Sequence, residues 1–89
     1  MDTLSVLGSR AAEAAMRGAA EYLRLHKVTI TDWDTATRIV AERTRDAIPE
    51  ALADAKVAFD CGMIEAATLT FLASMRLAGI AAAKEIAAL

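Results

Sequence analysis

Residues 63–89 read MIEAATLTFLASMRLAGIAAAKEIAAL, and this stretch decides the fold. It contains no proline, one interior glycine (Gly79) and four charged residues, Glu65, Arg76, Lys84 and Glu85. Alanine and leucine are strong helix formers, so the stretch reads as one helix of roughly 25 residues, about 40 Å long. At about 100° per residue its apolar groups fall on two faces. Ile64, Phe71, Met75, Ala82 and Ile86 share one; Leu69, Ala73, Leu77, Ile80 and Ala87 share the other. A helix apolar on more than one side is buried on more than one side, in protein or in lipid.

The remaining chain is short for such a helix. Eighty-nine residues make a single domain, 1–89, and a chain of this size buries only about 60–65% of the surface it exposes when unfolded. Twenty-two residues are alanine and four are aromatic (Tyr22, Trp33, Phe59, Phe71), so a core built from them packs backbones closely but holds few large groups.

Upstream, a first helix over about 4–27 starts with Thr3 or Ser5 as cap. Arg10, Glu13, Arg17, Glu21 and Arg24 recur at spacings of three and four and form a solvated ion-pair row. The opposite face carries Leu4, Gly8, Ala11, Ala12, Ala15, Gly18, Ala19, Tyr22 and His26, and small residues at that spacing admit a second helix at close range. Val28–Thr31 is a β-branched linker with no strand to pair with. Thr31, Asp32 and Asp34 then open a second helix over about 32–61, with Thr31 as the expected cap. Pro49 lies inside it, yet the apolar phase Trp33, Ala36, Val40, Thr44, Ala47 continues as Ala51, Ala55, Ala58. That continuity predicts a helix kinked near Pro49 rather than a loop, with two collinear helices as the alternative. Gly62 ends it in a short turn, and the third helix spans about 63–88. The expected fold is all-α: three long antiparallel helices in one bundle, completed by a second copy of the chain.

Chemistry is sparse. One histidine excludes an intrachain two-histidine metal centre; no phosphate loop or serine elbow is present, and Cys61, near a helix C-terminus, reads as an inert thiol. We expect neither enzyme activity nor a metal or other cofactor. A net charge of −2, with Glu42 and Asp46 among Arg38, Arg43 and Arg45, argues against nucleic-acid binding. Those three arginines are expected to pair along their own helix. A lone cysteine and an acidic, unapolar start (MDTLSVLGSR) point to a cytoplasmic protein.

Across a membrane, the third helix gains roughly −0.3 to −0.6 kcal/mol for each Leu, Ile or Phe, while Arg76 near its centre costs about 2.5 to 3.5 kcal/mol. Insertion is marginal at best, so a span is not expected. The reading is a structural or protein-interaction module that self-associates, most simply as a two-fold homodimer through third helices. Its interface residues are Ile64, Leu69, Phe71, Leu72, Met75, Ile80 and Ile86, with Glu65 of a neighbouring helix or partner chain neutralising Arg76. The alternative is a small apolar-ligand or lipid binder with a cleft lined by Leu69, Phe71, Leu72, Met75, Leu77 and Ile80.

Overall fold

The computed structural model describes residues 3–89, with side chains from residue 8 onward, so the expected caps Thr3 and Ser5 and the packing of Leu4 lie outside what it describes. Three α-helices follow one another: α1 (Thr3–Leu25), α2 (Trp33–Asp60) and α3 (Ile64–Ala87). The all-α three-helix bundle is therefore the fold, with boundaries close to those expected.

Each helix end has a local cause. At the end of α1, Lys27 N–H donates to the Arg24 carbonyl (3.2 Å) and Val28 N–H to the Leu23 carbonyl (2.9 Å), a Schellman motif. It holds Lys27 at φ +52°, a left-handed conformation that favours glycine, and stops the helix two residues before Lys27. The cap of α2 is Asp32, not Thr31: its carboxylate accepts from Thr35 N–H at 3.0 Å and from the Thr35 hydroxyl at 2.6 Å. Asp is the better acceptor and already stands one residue before the first helical position, which displaces the expected threonine. The helix continues unbroken through Pro49, so the two-helix alternative is set aside. A second Schellman motif closes it, with Gly62 N–H on the Phe59 carbonyl (3.0 Å), Met63 N–H on the Ala58 carbonyl (2.9 Å) and Gly62 at φ +76°. The turn folds α3 back along α2, so that Arg43 in the first half of α2 meets Glu85 near the end of α3.

The third helix is central. Both α1 and α2 pack along α3, while they touch each other only sparingly. The reason for the tight α1–α3 contact is absence of side chain. A Cβ built on Gly79 would overlap the Ala15 backbone carbonyl, and one built on Gly18 would overlap that of Arg76. Ala11, Ala15, Gly18 and Ala19 are the buried part of the small-residue stripe of α1, whereas Gly8, Ala12 and His26 on the same face are exposed. His26 stacks on Tyr22, with ring centroids 4.1 Å apart.

Among the described residues, nine of the twelve buried apolar ones are alanines, with Phe71, Met75 and Ile86 the only large ones. Trp33, in phase with the buried alanines of α2, is nonetheless 67% exposed. Its position in the first turn, next to the linker, carries it past the end of the core.

Gly79→Ala is expected to lower stability by about 1–3 kcal/mol, because two backbones have to part. Gly8→Ala, where a methyl meets nothing within 4 Å, is expected to be neutral or to add up to about 1 kcal/mol. Urea unfolding of the two variants against the parent checks both signs.

Candidate functional site

Of the surfaces left open after the helices have packed, two are apolar along several turns of helix. The first is the outer flank of α3. Its inward face holds Ala67, Phe71, Met75, Gly79, Ala82, Ala83 and Ile86, all buried by α1 and α2. The outward face holds Leu69 and Leu77, 62% and 63% exposed, with Ala73 exposed and Ile80 half-buried. Of the seven expected interface residues, Phe71, Met75 and Ile86 thus serve the chain's own core, and Leu72 packs against it. Ile64, at the first turn, and Leu69 stand open, and Ile80 is partly open. Leu77 belongs with them although the expected set omits it.

The flank has its own period. Ala66, Thr70, Ala73, Leu77, Ile80 and Lys84 recur at alternating spacings of four and three, the seam by which two helices interlock. This signal lies in the sequence but is masked by the apolar residues of the inner face, which fill the gaps between seam positions.

Charges border the flank in a particular way. Arg76 pairs with Glu21 of α1, not with Glu65. Glu21 sits on the α1 row beside the point where Gly18 lets the helices touch, whereas Glu65 lies 11 positions back along α3. Within the row itself one pair forms, Arg17 with Glu13 at 2.7 Å, while Arg10 and Arg24 meet no acid among the described residues. Arg43 departs from an intrahelical pairing, since its Nε and Nη2 donate to the two Glu85 oxygens at 2.6 and 2.8 Å, with Asp46 farther away at 3.6 Å. This two-pronged contact holds the Glu85 carboxyl below the usual carboxylate range, and the Thr35 hydroxyl does the same for Asp32. Of the four charges on α3, Glu65 and Lys84 are left without an ion partner among the described residues. No cluster of three potential metal ligands occurs among the described residues.

The second surface is a groove between α1 and α2, floored by Ile86 of α3. Its volume is about 920 Å³. Met16 and Leu23 form one wall, Trp33, Val40 and Ile48 the other. The expected ligand cleft, built on residues of α3, lies elsewhere: Ile86 is the sole α3 residue that lines this groove, while Leu69 and Leu72 line a smaller hollow of about 480 Å³ between α3 and the charged row of α1.

By length and composition α3 is also apolar enough to cross a membrane, with a mean hydropathy of 1.4 and one-third of that window buried inside the bundle.

Both shifted carboxyls act in one direction on stability. A folded pKa below the unfolded one adds stability above the unfolded value and loses it as pH falls through the folded one. The parent is therefore expected to lose stability below about pH 4.3. Glu85→Gln should be less stable than the parent at pH 7 and lose less on acidification, as read by thermal melts between pH 7 and pH 3. Comparisons with protein-family models, with curated proteins and with solved structures return no match for this chain.

Proposed function

We propose that this protein is a non-enzymatic, self-associating helical module, and that the outer flank of α3 is its contact with a second copy. The observation that carries the reading is the open pair Leu69 and Leu77 on a helix whose opposite face is already fully engaged. Burying one leucine contributes about 1.5–3 kcal/mol. A chain whose core is mostly alanine has little else to gain from packing.

Charge selects the arrangement. Glu65 and Lys84 lie near opposite ends of α3, roughly 28 Å apart at 1.5 Å per residue. If two α3 helices pack antiparallel about a two-fold axis near Met75, Lys84 of each copy comes opposite Ala66 of the other, within reach of its Glu65. Leu77 then faces Ala73, a large residue against a small one at both symmetry-related positions. A parallel pair would set Lys84 beside Lys84 and Glu65 beside Glu65. Burial in protein is preferred to burial in lipid because Arg76 and Glu85 tie the sides of α3 to α1 and α2 through ion pairs.

The experiment is a charge exchange read by sedimentation velocity. Lys84→Glu and Glu65→Lys are each expected to weaken self-association by roughly three- to tenfold, since each repels twice in a two-fold pair. The double variant should recover it. Leu77→Glu should weaken it by at least about 100-fold with unchanged helicity by circular dichroism. Single and double exchanges that behave alike, or parent protein that floats with lipid vesicles instead of pairing, would overturn the proposal.

A further inference from the structure

The groove between α1 and α2 lies away from the α3 flank, and its chemistry points to a different occupant. The charged side chains that line it are Arg24, Lys27 and Arg45, and no carboxylate joins them. This is the reverse of the chain as a whole, which carries −2. Arg45 has Asp46 beside it at 3.8 Å. Arg24 and Lys27, at the linker end, meet no acid among the described residues. Lys27, held in a left-handed conformation (φ +52°) by the turn that ends α1, brings the second cation to the groove.

We infer that the groove binds a single-chain anionic amphiphile of the long-chain fatty acid class. Its hydrocarbon tail lies between Met16 and Leu23 on one side and Val40 and Ile48 on the other, and its carboxylate sits at the linker end with Arg24 and Lys27. Charge and length select this occupant. The wall from Trp33 to Ile48 is about 22 Å long at 1.5 Å per residue, and the groove has a volume of about 920 Å³. An extended acyl chain matches the length and is thin enough to lie within the walls. The volume also falls inside the range in which proteins enclose small apolar ligands, about 300–1,000 Å³.

The test uses two soluble amphiphiles with the same tail and opposite heads, dodecanoate and dodecyltrimethylammonium, each titrated below its micelle concentration. Trp33, the only tryptophan and now largely in water, reports from the groove wall. Dodecanoate should bind saturably, one per chain, and shift Trp33 emission to the blue; the cation should bind at least about tenfold more weakly. Arg24→Ala/Lys27→Ala should weaken dodecanoate by roughly tenfold, and Arg24→Lys/Lys27→Arg should restore it. Leu77→Glu, which blocks the α3 flank, should leave binding unchanged. The inference is overturned by equal affinity for the two heads, by binding that leaves Trp33 emission unmoved, by no saturable binding, or by loss of binding in Leu77→Glu.

Discussion

The contact on which the rest depends is the crossing of α1 over α3, where Gly79 receives the Ala15 backbone and Gly18 receives that of Arg76. Two helices approach this closely only where side chains are missing from both. The gain is dispersion between backbones over a small area, and its cost is the loss of large core residues. Everything else follows from that exchange. Alanines fill the seams, Met75 is the one large side chain fully enclosed among the described residues, and the outer flank of α3 is left open.

The charged residues divide along the same line. Glu21 and Arg43 each leave their own helix to reach α3, at Arg76 and Glu85, and so fix its position between its neighbours. These pairs are half-exposed and add modestly to stability, but they are directional. They orient the bare flank outward and hold α1 and α2 on either side of it. Because α1 and α2 are each fastened to α3 rather than to one another, a groove remains between them above Ile86. One arrangement thus leaves both surfaces: a mostly apolar seam with Lys84 at one end on one side, and a cation-rimmed trough on the other.

Much of this was legible in the sequence. Helix formers with a glycine turn at Gly62 gave three helices, and the continuing phase across Pro49 kept α2 in one piece. The small-residue stripe of α1 foretold a close crossing. What the sequence left undecided were choices that depend on neighbours. Phe71 and Leu69 are equally apolar, and only the position of α1 and α2 decides that Phe71 turns inward and Leu69 outward. Arg76 selects Glu21 over Glu65 because the glycine crossing sets α1 beside it, a contact 55 residues apart in the chain. The groove was invisible because its walls come from two helices whose spacing no local pattern records.

The central claim is that α3 is a shared helix, closed on one side by its own chain and on the other by a second copy. Sedimentation equilibrium of the unmodified protein at micromolar concentration tests it most directly. The account predicts a mass of twice the 9.4 kDa chain, falling towards that of the single chain only on strong dilution. A mass of 9.4 kDa across the whole concentration range would contradict it.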